Sequence, residues 1–186
     1  LQLALKSENR AEGLNISTDN DKNCQRDGLT AHLGSYEDLT TRFPANTFDA
    51  VVLNGSAEHF VNEDILITNQ KATAQHHIFK LLAHVLKPGG RLFFTCIHFV
   101  DMPDPKQVLN NPLHLPQGSL EYHCSILQKF FSGWYPTIGE YDTAAANNGL
   151  TKVFERDATS DYLKTSNDWT RRVQSAMKQP HKRLQV

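Results

Sequence analysis

The chain is short of several things, and each shortage excludes a class of function. It has three cysteines in 186 residues, Cys24, Cys96 and Cys124. They are odd in number, widely spaced and form no CxxC pair. That excludes a disulfide-stapled secreted scaffold and a zinc ribbon, and it points to a reduced, cytoplasmic setting. No apolar run approaches the roughly 20 residues that span a bilayer, and no signal peptide opens the chain. No sign of charge dominates, since the net charge is -1. Without a basic stripe there is no footprint for nucleic acid. The histidines lack ligand spacing: His76 and His77 are adjacent on a helical pattern and diverge, and His98, His114 and His123 stand apart. No metal site is expected. Repeats and low-complexity segments are absent too. The chain opens on Leu1, not methionine, and reads as a fragment.

What is present is a layered α/β pattern. The central stretch runs from Phe48 to Phe60. Its apolar run Ala50-Val51-Val52-Leu53 lacks polar alternation, as in a parallel strand covered on both faces. Asn54-Gly55-Ser56-Ala57 adds little bulk, so a ligand can approach the backbone there. Glu58 and His59 then stand just past the strand's carboxyl end, where open α/β sheets bind ligands.

Around this strand the elements follow in order. Residues 1–12 read as a helix tail or frayed end. Gly13 to Ser17 reads as a short strand. Thr18-Asp19-Asn20-Asp21 is an N-cap cluster opening a helix that ends near Asp27-Gly28. Leu29 to Leu33 reads as a strand, Gly34 to Leu39 as a loop and Phe43 to Thr47 as a turn. Residues 62–70 form an acidic loop. From Ala72 to Leu86, Ile78, Leu81, Leu82, Val85 and Leu86 recur at helical spacing, and Lys87-Pro88-Gly89-Gly90 ends that helix. Arg91 to Ile97 reads as a strand. Four prolines between Met102 and Gly118 forbid a long helix, so residues 101–136 read as an insertion or lid. Leu120 to Phe131 and Thr137 to Asn148-Gly149 read as helices, and Leu150 to Arg156 as a last strand. Tyr162 to Met177 is amphipathic, with Trp169, Val173 and Met177 on one face. The whole reads as a single α/β domain over residues 1–186 with a mostly parallel sheet and helices on both faces.

The central stretch and Leu86-Lys87-Pro88-Gly89-Gly90-Arg91-Leu92 together resemble the Rossmann-like class I S-adenosylmethionine-dependent methyltransferases. Three further segments resemble the cyclopropane-fatty-acyl-phospholipid synthases among them. These are Ala57-Glu58-His59-Phe60, Phe130-Phe131-Ser132-Gly133-Trp134-Tyr135-Pro136, and Asp161-Tyr162-Leu163-Lys164-Thr165 with Trp169. Amine N-methyltransferases built on the same scaffold share them.

The resemblance implies S-adenosylmethionine as cofactor and the following roles. Glu58 and Tyr162 would hold a bicarbonate ion, and Ile97 would offer its backbone there. Gly55 would line the methionine end of the cofactor. Asn15 and Asn20 fall on its ribose side, and Ser35 and Tyr36 flank its adenine. The acceptor would be an unsaturated phospholipid chain, with possible peripheral contact to a membrane, or a small amine.

Two departures stand out. Thr95 occupies the position of a synthase histidine, and the glycine-rich cofactor loop would lie upstream of Leu1. Either acceptor calls for an acid or base beside the methyl group, which suits Glu58 and His59. The competing reading for Glu58 is a carboxylate that favours a helix N-terminus. For His59 it is a backbone hydrogen bond, and for Tyr162 a half-buried core tyrosine. A chain without catalysis, kept as an interaction module, is the reading from another class.

Overall fold

A computed structural model describes residues 10–101, 103–131 and 134–178. The helix tail expected over residues 1–12 therefore lies mostly outside the described residues, as does Gly133 of the expected Gly133–Pro136 turn. The chain divides into two compact units, Leu1–Thr151 and Lys152–Val186.

The first unit opens on strand β1 (Gly13–Asn15), helix α1 (Thr18–Arg26) and strand β2 (Ala31–Leu33). The two strands pair in parallel, which is the βαβ hand-over the sequence predicts. The helix starts one residue earlier than its cap cluster suggests, because Ser17 supplies the cap: its Oγ accepts the Asn20 N–H at 3.2 Å. Asp19 and Asp21 in the first turn and Arg26 in the last complement the macrodipole. His32 Nε2 lies 2.8 Å from Glu12 Oε2, tying β2 to the segment before β1.

The stretch expected as a loop after β2 is more ordered than that. It holds a 3-10 turn (Tyr36–Asp38) and a short helix α2 (Leu39–Arg42). Strand β3 (Phe48–Asn54) follows, then a 3-10 turn (Ala57–His59). The expected acidic loop instead contains a short helix α3 (Glu63–Ile67), because Asn62 Oδ1 caps the Ile65 N–H. Helix α4 (Lys71–Val85) buries Ile78, Leu81, Leu82 and Val85 of the stripe read from spacing, and Phe79 with them; Leu86, the last residue of that stripe, opens the next strand instead. Each such side chain contributes about 1.5–3 kcal/mol on leaving water.

Strand β4 (Leu86–Thr95) pairs with β3 in parallel. The Pro-Gly-Gly segment is folded into that ladder. Leu86 pairs with Phe48, and pairing resumes at Arg91 opposite Ala50 across a bulge. Gly89 takes φ +75°, and a Cβ on Gly90 would lie 2.8 Å from the Lys87 carbonyl and 3.2 Å from the Asp49 carbonyl. The motif is thus fixed by backbone sterics.

One face of β3–β4 carries the core. Val51, Leu53, Leu92 and Phe94 pack against Ala57, Ile78, Phe79, Leu82, Tyr141 and Ala144. The other face departs from the expectation of a strand covered on both sides. Val52 and its partner Phe93 are 67% and 58% exposed, since no described residue lies over them.

The proline-rich stretch makes two brief turns, helix α5 (Pro105–Val108) and a 3-10 turn (Pro112–His114), capped by Asp104 and Asn111. Val108 is buried in a second cluster with Val61, Leu66, Cys124 and Trp134. Helices α6 (Leu120–Phe131) and α7 (Ile138–Ala146) lie where periodicity put them. Glu140 Oε2 accepts the Thr137 N–H at the start of α7, and Glu140 also pairs with Lys71 of α4.

The strand expected over Leu150 to Arg156 does not form: residues 151–158 have no regular structure and are exposed. An apolar run becomes a strand only when another strand accepts its backbone bonds, and none of the described strands does. The second unit's helix α8 (Thr159–Met177) is amphipathic, as its pattern predicts.

Two predictions follow from this packing. Gly90→Ala forces Cβ onto two carbonyls, so it should destabilise the fold by about 1–3 kcal/mol in chemical denaturation. Glu12 is held below its ordinary carboxylate value, chiefly by its hydrogen bond to His32. The stability this confers is present above the ordinary carboxylate pKa and is lost as pH falls through the depressed value. The melting-temperature gap between wild type and Glu12→Gln should therefore close as pH is lowered below about 4.5.

Candidate functional site

The described strands form two separate parallel pairs, β1–β2 and β3–β4, where one sheet was expected, and contacts between their carboxyl-end loops join the pairs in one rim. The Gly34 N–H donates to the Asn15 carbonyl at 2.9 Å, joining the ends of β1 and β2. Tyr36 packs on Phe60 with ring centroids 4.4 Å apart, joining the loop after β2 to the turn after β3. The Gly55 N–H donates to the Thr95 carbonyl at 3.0 Å, joining the ends of β3 and β4. Eight of the nine residues singled out from the sequence lie along this rim. Tyr162 is in the other unit.

Glu58 is the centre of the site. Its residue is 3% exposed. Oε1 accepts the Ile97 N–H at 2.6 Å, and the Glu58 carbonyl accepts the Trp134 N–H at 2.8 Å. Oε2 is buried and has no hydrogen-bond partner, and no cation among the described residues pairs with the carboxylate. Ile97 thus gives its backbone N–H to Glu58 itself, whereas the resemblance has both residues facing a bicarbonate ion. The two acidic groups nearest in effect are neutral. Burial, and then the Glu58 charge, push the Cys96 thiol up to about 12. Burial also raises the Tyr141 phenol, with Cys96 and Glu58 adding to it. His59, next in sequence, is exposed, and its backbone N–H bonds Ser56.

On the β1 side, Asn15 and Asn20 line one cavity of about 330 Å³ with Gly13, Asn23 and Asp27. Asn15 Oδ1 accepts the Ser17 N–H at 3.0 Å. Ser35 is committed to the backbone: its Oγ accepts the Glu37 N–H and its N–H donates to Asp38 Oδ2. The Tyr36 hydroxyl is pushed up to about 12 by burial and by Glu37 beside it. Glu37 in turn lies 2.7 Å from His77 of α4 and is held low by it. Gly55 takes φ +59°, and a Cβ there would meet nothing within 4 Å, so the backbone is open to a ligand.

Tyr162 is 49% exposed on α8 and packs edge-on to Trp169 at 6.2 Å. Among the described residues no His, Cys, Asp or Glu cluster could hold a metal ion.

Sequence reasoning treated Thr95 only as a missing histidine; Trp134, which the sequence leaves open between packing and substrate contact, is 2% exposed with its indole N–H unpartnered. Thr95 had a legible signal, being the polar residue that ends an apolar strand.

These residues fit S-adenosylmethionine. A buried acceptor without a cation stands at the strand ends, an open glycine lies three residues before it, and two asparagines share a cavity on the β1 side. That molecule carries a sulfonium methyl, and the rim offers a carboxylate for positive charge and amides for hydroxyls.

Comparison with known proteins agrees. No curated protein matches the chain. Among solved structures it is similar to a protein from Galdieria sulphuraria assigned as a sarcosine dimethylglycine methyltransferase. The TM-score is 0.57 at 18% identity, covering 82% of this chain and 50% of that one. The chain thus spans about half the length of that relative, and the likeness is one of fold. The match at family level is to the methyltransferase domain at large and does not single out the cyclopropane synthase branch. That family model covers residues 2–94, half of the chain, and on it the chain belongs to the methyltransferase domain family, whose cofactor is S-adenosylmethionine.

Proposed function

We propose that the chain is the methyltransferase domain of an enzyme that moves a methyl group from S-adenosylmethionine to a small amine. The observation that carries this is the Glu58 carboxylate, buried, satisfied on one oxygen and facing no cation. An uncompensated buried charge costs several kcal/mol, and a cationic ligand removes that cost. An amine acceptor becomes an ammonium as the N–C bond forms and the S–C bond breaks, so positive charge passes from sulfur to nitrogen. Oε2 stabilises the charge at nitrogen and can take the proton the product sheds. His59, the next residue, is exposed. The similar Galdieria protein is assigned to amine-type substrates, which agrees with this reading.

A phospholipid alkene is the second reading, favoured by the adjacency of Glu58 and the Ile97 backbone. Bicarbonate chemistry there would need that backbone N–H, which Glu58 already occupies. It would also need a basic group where Thr95 stands, whose hydroxyl bonds Asn54. Both points weigh toward the amine. Tyr162, in the second unit, carries no part of this proposal. The three free thiols suit a reducing, cytoplasmic setting. No described helix is long and apolar enough to cross a membrane.

Radiolabelled donor offered with small primary, secondary and tertiary amines and with phospholipid vesicles tests the proposal. Label should appear in a water-soluble amine. Label only in lipid supports the second reading, and label in neither supports a non-catalytic module. Glu58→Gln keeps an acceptor for Ile97 and removes the charge. It should melt at or above the wild-type temperature while methyl transfer falls by about 100-fold or more. A joint loss of stability and activity would mean the carboxylate is structural only.

A further inference from the structure

We infer that Thr95 is a positioning residue for the donor end of this site, an inference that rests on the reading just proposed. Asn54 and Thr95 form the last rung of the β3–β4 pairing. The Thr95 hydroxyl makes two bonds beyond that ladder: it donates to Asn54 Oδ1 at 2.5 Å and accepts the Gly55 N–H at 3.1 Å. That N–H is shared, because it also donates to the Thr95 carbonyl at 3.0 Å. The ladder therefore closes without the hydroxyl. What the hydroxyl adds is orientation of the Asn54 side chain and of the Gly55 peptide.

That peptide is where orientation counts. Gly55 turns the chain in the left-handed region, with open space where a Cβ would sit. Three residues on, Glu58 is anchored by the Ile97 N–H. Residues 95 and 97, two apart on one segment, thus clamp the loop from Asn54 to Glu58 at both ends. Without the hydroxyl the loop keeps its Glu58 anchor and its ladder bond. It loses the contact that fixes how the Gly55 peptide faces the opening. Asn54 and Gly55 are exposed, and bonds made there add little to stability. A hydroxyl used in this way therefore affects ligand geometry more than folding. The same commitment explains why a threonine stands where a base would serve bicarbonate chemistry: the position holds backbone and does not move protons.

The test compares Thr95→Val, which is isosteric and lacks the hydroxyl, with Thr95→Ser, which keeps it. The probe is S-adenosylhomocysteine, followed by calorimetry, with Gly55 amide exchange measured by NMR. Thr95→Val should weaken the affinity about tenfold, and Thr95→Ser should stay within about twofold of wild type. The valine variant should melt within about 3 °C of wild type and should speed Gly55 amide exchange. In turnover the loss should fall on the donor KM more than on kcat. Wild-type affinity in the valine variant, or equal loss in the serine variant, overturns the inference. So does a wild-type chain that does not bind the probe.

The two proposals fail separately. If no amine is methylated but Thr95→Val still weakens the probe and Thr95→Ser does not, the acceptor reading fails and Thr95 stands. If amines are methylated, Glu58→Gln is inactive and Thr95→Val matches wild type, Thr95 fails alone.

Discussion

One buried carboxylate organises the site. Glu58 sits in a 3-10 turn at the end of β3, takes the Ile97 N–H on one oxygen and leaves the other unpaired. Its backbone carbonyl holds Trp134, so it joins the turn after β3, the segment after β4 and the aromatic segment before α7. Those links place a carboxylate where none of the described residues offers it a paired cation. The nearby Cys96 and Tyr141 are held protonated by burial and by that charge, so they do not compete for a cation. Leaving a charge so exposed to its own desolvation is costly for a merely structural residue. For a residue that meets a cation during the reaction, the same cost becomes affinity.

The rim around Glu58 is built from small polar devices. Asn15 turns its side chain back to Ser17, Ser35 and Asp38 cap one another's turn, and Thr95 holds Asn54 and Gly55. Each satisfies backbone at a strand end, where ladder bonds run out. An apolar layer of α4 and α7 packs against β3–β4 beneath that part of the rim. Specificity in such a fold comes from the strand-end loops, and the sheet supplies the base on which they stand.

Much of this was legible in the sequence because the signals were local. The stripe from Ile78 to Val85 gives α4, the prolines between 103 and 116 keep helices short, and Lys87-Pro88-Gly89-Gly90 marks the end of α4, although that segment lies inside β4 and not before it. The position of Glu58 was legible for the same reason: an apolar run followed by small residues ends where α/β sheets bind ligands. The failures are non-local. Whether Leu150 to Arg156 becomes a strand depends on a partner, which no window of sequence contains. Whether Val52 is covered depends on what packs over the sheet. The clamp by Thr95 required knowing that it stands opposite Asn54, 41 residues away. Ser17 displaced the expected cap cluster by one residue, a choice among adjacent capping side chains that only the backbone angles decide.

The central claim is that Glu58 awaits a cation. Calorimetric titration of a small ammonium ion and of an uncharged isostere, each with S-adenosylhomocysteine present, tests it most directly. The account predicts that the ammonium binds at least about tenfold more tightly and that Glu58→Gln abolishes the difference. Equal affinities for the charged and uncharged ligands in the wild-type protein would contradict it.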